Sequence, residues 1–278
     1  MDYEEQYSQM QALKKLRNNM ALFGRHCFPT ALRKSTPPFH NEVYSSLAND
    51  KKRRVLIAAP RGTAKSTVTT LIFPLWKVAF KKSNEDLFIV IISESQTQSI
   101  NFLSRIKYHL IHSDKFKKVF GDLGPNTAKR WTNNDIVLAN GARIVAVGTG
   151  QRVRGFIEGD TRPNLIIVDD FESELNAFTA EARAKNRKWV TEAVIPSLSD
   201  EGKIAMIGTV ISEDCFLYWV ELTLLVAFLP LLIILWSLQL LLITIIISIS
   251  LIYFGTEYLL RSSLTNLLKF LKSIGLGE

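Results

Sequence analysis

Four consecutive apolar residues, Leu165–Val168, run directly into two adjacent aspartates, Asp169 and Asp170. A run of that kind reads as a strand buried on both faces. Burying a strand that ends in paired carboxylates is costly unless the acids reach a cation or a polar ligand. A mainly parallel α/β sheet meets that demand, because its ligand crevice lies outside the carboxyl ends of its strands. The first 221 residues repeat the pattern. Val55–Ala58, Leu87–Ser93 and Ile204–Gly208 are further apolar runs, and helices are predicted between strands over residues 95–111 and Ala177–Val194. Within Asp135–Val147, Asn140-Gly141 separates two apolar stretches, a hairpin signal. Strands alternating with helices predict an α/β layer fold.

Ahead of that alternation, residues 3–24 are predicted as one amphipathic helix, with Leu13, Leu16, Met20 and Phe23 at helical spacing. A break at Phe28-Pro29-Thr30 follows, and Ser35-Thr36-Pro37-Pro38 opens a second helix near Phe39–Leu47.

The strand Val55–Ala58 leads into Ala59-Pro60-Arg61-Gly62-Thr63-Ala64-Lys65-Ser66-Thr67. This loop has the form of a phosphate cradle, GxxxxGK[ST], with Ala59 and Ala64 where the two glycines usually stand. Backbone N–H groups of the loop and the following helix N-terminus would wrap a β-phosphate. Lys65 would bring a point charge to the β/γ oxygens of ATP, and the Ser66 hydroxyl would ligate Mg²⁺. Asp169 would hold the same Mg²⁺, while Asp170 or Glu172 would polarise the attacking water. Gly208-Thr209, after the last strand, lies where a sensor of the γ-phosphate belongs. The expected fold class is therefore α/β, resembling a P-loop NTPase of RecA/ASCE-like kind: a mainly parallel sheet with flanking helices, an N-terminal helical segment and an anomalous apolar C-terminal tail.

Charge and composition divide the chain. No Asp, Glu, Lys or Arg occurs in the 35 residues from Leu222 to Thr256. Of the 34 basic and 26 acidic residues, 31 and 24 fall within residues 1–221, a net +7 there. Lys51-Lys52-Arg53-Arg54, Lys115/Lys117/Lys118 and Arg183/Lys185/Arg187/Lys188 are candidate contacts to a polyanion; taken singly, each reads first as an ordinary solvated face, and only their sum favours an anionic partner. Two cysteines exclude a disulfide scaffold, and His109 and His112 lack the companions of a metal site. The acidic, polar start MDYEEQYSQM has no secretory pattern.

These residues together resemble the ATPase domain of the large terminase subunit of tailed bacteriophages, the DNA-packaging motor. The resemblance runs from about Pro37 to Trp219. It rests on Pro38-Phe39-His40, the Ala59–Thr67 loop, Trp131, Gly148-Thr149-Gly150-Gln151-Arg152-Val153-Arg154-Gly155, Arg162-Pro163-Asn164 leading into Leu165–Glu172, and Ile207-Gly208-Thr209. It implies ATP and Mg²⁺ as cofactors, with Arg61, Gly62, Thr63, Ala64, Lys65, Ser66 and Thr67 around the phosphates and Phe39-His40 at the adenine. It further implies Ser66 and Asp169 at the metal, Asp170 or Glu172 as the catalytic acid, and Thr209 in the coupling motif. Arg154 matches the position where some relatives supply an arginine finger to a neighbouring subunit; a phosphate or surface-carboxylate contact is the alternative. The implied partners are double-stranded viral DNA, the small terminase subunit, the portal protein of the procapsid and further copies in a homo-oligomeric ring, in the host cytoplasm and transiently at the portal.

The resemblance divides the chain into residues 1–36, an N-terminal helical segment; 37–221, the ATPase domain; and 222–278, an apolar tail. The nuclease domain of a complete large terminase needs an acidic cluster for divalent metal. Beyond Asp214 the chain has only Glu221, Glu257 and Glu278. The expectation is a truncated or frame-shifted product without cutting activity. The alternative reading is a membrane-anchored P-loop ATPase that moves no DNA, with residues 222–256 as the membrane segment.

Overall fold

A computed structural model describes residues 3–32, 37–151, 161–173, 176–209, 215–220 and 238–246. The chain divides into two units, Met1–Val220 and Glu221–Glu278.

The first unit is built on a seven-stranded sheet. Its strands are β1 (Arg54–Ala58), β2 (Phe88–Ser93), β3 (Arg130–Trp131), β4 (Asp135–Val137), β5 (Arg143–Gly148), β6 (Leu165–Asp169) and β7 (Lys203–Gly208). Their spatial order is β1-β7-β6-β2-β5-β4-β3. The first five in that order are mutually parallel, and β4 and β3 extend the sheet antiparallel. Asn140-Gly141 makes the β4–β5 turn, with Gly141 at φ +81° and the Asn140 side chain donating to the Val78 carbonyl at 3.0 Å.

The central strands are apolar on both faces because both are covered. Ile89 and Ile91 of β2, Leu165 and Ile167 of β6, and Ala205 and Ile207 of β7 join one core cluster; the residues between them, Val90, Ile166, Val168 and Met206, join another. That alternation decides where the acids go. Asp169 follows Val168 and so falls on the face of Ile167. This is the face covered by α1 (Tyr3–Asn18), α2 (Met20–Cys27), α3 (Phe39–Ala48), α4 (Phe73–Ala79), α5 (Gln96–His112) and α6 (Asp114–Phe120). The other face carries α7 (Ala180–Trp189), α8 (Ile195–Ser197) and the segment 215–220.

Three helices depart from the sequence expectation. The single helix predicted over 3–24 is two, because Asn19 turns extended (φ −137°, ψ 93°) and its side chain caps α2 by accepting from Leu22 N at 2.9 Å. The helix predicted from Ala177 begins at Ala180, since Thr179 is its cap, and it continues past Val194 through a π-helical turn into α8. The helix opening at Lys65 widens to a π-turn over Thr67–Ile72 before α4. Pro74 has no N–H to return to the preceding turn, and Phe73 N reaches back five residues to Val68 O. Leu16, Met20 and Phe23 from the two N-terminal helices lie in the same core cluster as Ile89 and Ile167.

In the second unit, residues 238–246 form a helix whose leucines and isoleucines are exposed. Among the described residues, no helix is long and apolar enough to cross a membrane.

Candidate nucleotide site

The sheet order places three strand ends side by side. Strand β7 lies between β1 and β6. The loop after β1, the Gly208-Thr209 pair after β7 and the acids ending β6 therefore share one crevice at the carboxyl edge.

In the loop, Gly62 has φ +80° and Ala64 has φ +56°. Of the two glycine positions that alanine occupies, only Ala64 needs the left-handed conformation, and there its methyl group is a source of strain. Thr63 Oγ1 donates to the Pro60 carbonyl at 2.8 Å and closes the turn. His40 Nε2 lies 2.6 Å from the Thr63 carbonyl. A carbonyl only accepts, so Nε2 carries the proton and donates. His40 is buried, and Phe39 beside it packs against the core. Gly62, Arg61 and Ala64 are exposed.

Lys65 is 5% exposed. Its ammonium donates to Thr209 Oγ1 at 2.6 Å and to the Ala59 carbonyl at 3.1 Å, and lies 3.7 Å from Asp170 Oδ2. Asp170 Oδ1 accepts from Thr209 N at 2.9 Å. Asp170 itself has φ +43°, and this left-handed turn ends the strand and swings the side chain toward Lys65. Three residues predicted on separate strand ends, Lys65, Asp170 and Thr209, thus form one hydrogen-bonded cluster.

Asp169 is fully buried, and neither carboxylate oxygen has a hydrogen-bond partner. Burial pushes its carboxyl up to about 7, and the neighbouring Asp170 charge adds to the rise. The Ser66 hydroxyl, Lys65 and Arg105 act the other way; the hydroxyl is close enough to favour the ionised form without making a well-formed hydrogen bond. A buried carboxylate with no donor, facing a serine at the head of the loop helix, is the donor set expected for Mg²⁺. That ion takes one or two protein oxygens and completes its shell with water and substrate phosphates. The residues present fit the ion.

Glu172 lines a small cavity with Asp170 and Thr209 but takes a different partner. Its Oε2 accepts from Phe216 N at 2.6 Å, at the start of the 215–220 segment. Burial raises its carboxyl, opposed by that N–H and by Asn186, Arg187 and Arg183. The strand does not continue past Asp169, so Glu172 is not carried along the sheet to the face of the phosphate loop. Arg154 lies outside the described residues. Its neighbours Thr149 and Gln151 are well anchored: Thr149 Oγ1 donates to Ser93 and Phe171 carbonyls, and Gln151 bonds Gly148 N and Gln96.

One residue at the site has no local sequence signal. Arg105, on α5, donates to Thr67 Oγ1 at 3.3 Å and its charge reaches Asp169. Several basic residues singled out as candidate polyanion contacts also bond within the protein. Arg53 pairs with Glu201 at 2.5 Å, Arg54 bonds the Gly202 carbonyl, Arg183 bonds the carbonyls of Ala177 and Phe178, and Arg187 lies over Trp219. Lys51 and Lys52 remain exposed beside them.

The fold is a mainly parallel seven-stranded sheet with helices on both faces, and the loop after β1 has the form of a phosphate cradle. Neither a scan against protein-family models nor a search of curated proteins matches the chain. Among solved structures, it is similar to the large terminase of bacteriophage HK97, with 11% identity over 74% of this chain and a TM-score of 0.49. It is also similar to a mutant of the large terminase ATPase domain of Thermus phage P74-26, with 16% identity over 69% of this chain and 71% of that one, at a TM-score of 0.43. The Phi-28 gp11 DNA packaging motor is a third, at 11% identity, 56% of this chain, 46% of that one and a TM-score of 0.33. The chain spans 40% of the length of the HK97 protein.

Proposed function

We propose that this chain is the ATP-hydrolysing motor part of a viral large terminase, which drives double-stranded DNA into a procapsid. The observation that carries the nucleotide chemistry is the cluster of Lys65, Thr209 and Asp170 beside the buried, unpartnered Asp169. The terminase assignment rests on the motifs that surround that cluster in sequence.

When ATP enters the loop, its phosphate oxygens compete for the Lys65 ammonium with Thr209 and the Ala59 carbonyl. Drawing Lys65 away releases the Asp170 Oδ2 that faces it, and that oxygen then serves as the base for water. Ser66 and Asp169 would hold Mg²⁺, which supplies charge neutralisation at the β and γ oxygens when bound. Thr209, bonded through its N–H to the catalytic acid and through its hydroxyl to the phosphate-binding lysine, is the residue through which β7 reports turnover. Arg154 acts on the site of a neighbouring copy in a ring. The small terminase subunit and the portal protein are the proposed partners, in the host cytoplasm.

The test is ATP hydrolysis by the purified chain with and without duplex DNA, alongside Lys65→Ala. The expected result is Mg²⁺-dependent hydrolysis that duplex DNA stimulates and Lys65→Ala abolishes. Parent-like turnover in Lys65→Ala refutes the site. Hydrolysis that duplex DNA leaves unchanged at every salt concentration refutes the motor.

A further inference from the structure

Lys203 is the first residue of β7 and is only 6% exposed. Its position in the strand puts it on the same face as Ala205 and Ile207, the face that α3 and α4 cover. The ammonium donates to three backbone carbonyls, those of Ser46 at 3.1 Å, Leu47 at 2.5 Å and Asn49 at 2.9 Å, and sits 5.8 Å from the Phe73 ring centroid. A helix leaves its last carbonyls without intrahelical partners. Asn49 N serves the Ser45 carbonyl, and Lys203 takes the next two and the carbonyl of the cap residue itself. A cation at a helix C-terminus is also favoured by the helix dipole. Burial lowers the Lys203 ammonium to about 8, so the three carbonyls hold a charge that solvent does not.

The other end of α3 touches the phosphate loop. His40 donates to the Thr63 carbonyl at 2.6 Å, and the other end of β7 leads to Thr209, on Lys65 at 2.6 Å. His40 is six to nine residues from Ser46, Leu47 and Asn49, so these attachments stand about 9–14 Å apart along the axis of α3. The chain of contacts closes on itself: Thr63 to α3, α3 to Lys203, β7 to Thr209, Thr209 to Lys65, and Lys65 back along the loop to Thr63.

We propose that Lys203 is a positioning residue for the nucleotide site: it locks the C-terminus of α3 to the head of β7, so that His40 and Thr209 hold opposite sides of the phosphate loop in fixed relation. This rests on the nucleotide-site reading above. With the lock intact, a displacement of Thr209 on nucleotide binding is resisted through the length of β7 and α3. Without it, α3 is free to slide on the sheet, and the outer turn of the loop slides with it.

The experiment is nucleotide affinity, kcat and KM for the full chain, Lys203→Met, Lys203→Arg, His40→Gln and the double variant Lys203→Met/His40→Gln. Lys203→Met keeps the aliphatic stem and removes all three donors. The expected result is a folded Lys203→Met whose kcat falls by roughly ten- to a hundred-fold, the scale of a displaced catalytic group. Lys203→Arg, which keeps charge and donors, recovers most of the loss. Because both ends act through one helix, the double variant loses little more than the worse single variant. Fully multiplicative losses, or a folded Lys203→Met with parent kcat and KM, overturn the proposal. If Lys203→Met does not fold, Lys203→Gln, which loses the charge but keeps two donors, is paired with His40→Gln for the same test of coupling, and strictly multiplicative losses there overturn the proposal too. A parent chain that binds no nucleotide refutes the nucleotide-site reading instead, which keeps the two failures apart.

Discussion

Replacing Asp169 by asparagine should stabilise the metal-free chain above neutral pH while removing its Mg²⁺-dependent hydrolysis. The carboxylate is fully buried without a partner, and burial lifts it from 3.8 to about 7. A carboxyl raised on folding binds its proton more tightly in the native state. Its contribution to stability is complete below the unfolded value, and it is lost as pH rises toward the folded value. The sign is therefore the reverse of the usual salt-bridged aspartate. At 1.36 kcal/mol per unit, ionising this group in place costs about 4 kcal/mol by pH 8, but only about 1 kcal/mol at pH 4.5.

Asparagine has no charge to desolvate, although its amide is itself a buried polar group costing about 1–3 kcal/mol if unpaired. That cost does not vary with pH. The change in the effect of Asp169→Asn between pH 4.5 and pH 8 isolates the carboxylate, and the expected value is about 3 kcal/mol in favour of the variant. Urea denaturation of both proteins in excess chelator at the two pH values gives this difference directly. A difference below about 1 kcal/mol, or one of opposite sign, means that the parent carboxylate is solvated or paired and that the metal-site argument is wrong. Adding Mg²⁺ with nucleotide should reverse the order at pH 8, because only the parent gains a ligand.

Four further outcomes separate the roles of neighbouring residues. Asp170→Asn should bind nucleotide yet hydrolyse it at least about a hundred-fold more slowly, within the range of general acid–base groups, in a single-turnover assay. Glu172→Gln should keep most of that activity and lose roughly 1 kcal/mol of stability with the Phe216 cap; the larger catalytic loss in Glu172→Gln would reverse the assignment. Ala64→Gly should relieve the left-handed strain and raise the denaturation midpoint by the equivalent of about 0.5–1 kcal/mol, the gain being net of glycine's extra unfolded-state freedom. A Cβ on Gly208 would meet Leu217 Cδ1 at 2.5 Å and Asp170 Oδ1 at 3.4 Å. Gly208→Ala should therefore slow hydrolysis, with partial recovery in Gly208→Ala/Leu217→Ala; failure to recover would place the damage at Asp170.

Strand positions were legible because doubly buried strands leave unmistakable apolar runs. Leu165–Val168 and Ile204–Gly208 match β6 and β7 to within a residue or two. Helix ends were less legible. Asn19 occupies a helical pattern, yet its side chain competes for the backbone and starts a new helix. Lys65, Ser66, Asp169 and Asp170 were marked by local motifs, whereas the turn at φ +43° that brings Asp170 toward Lys65 has no mark in the sequence. Arg105 and Lys203 had no local mark. Each matters through a contact about 40 or more than 150 positions away, and nothing in RIKYHL or KIAMIG records what packs above it.

The decisive fact is which strand lies between the phosphate loop and the acids. Were β1 beside β6, nothing from β7 would touch Lys65 or the acids. With β7 between them, Thr209 joins the Lys65–Asp170 pair, donating its N–H to Asp170 and receiving Lys65 on its hydroxyl. A phosphate that withdraws Lys65 then breaks a bond to β7 in the same event that frees the acid. In the proposed mechanism hydrolysis and strand β7 would be coupled by hydrogen-bond valence: of the three Lys65 protons, the Ala59 carbonyl and Thr209 take two and the third faces Asp170 Oδ2 at 3.7 Å. Loosening either contact should therefore strengthen nucleotide binding while weakening the communication of turnover to β7. Thr209→Val is the sharpest form of that idea, since it removes the hydroxyl and keeps the N–H that orients Asp170. It should bind ATP at least as tightly as the parent and hydrolyse it, but lose stimulation by DNA. Lost ATP binding in a folded Thr209→Val would show that Thr209 holds Lys65 in place for the phosphate rather than competing with it.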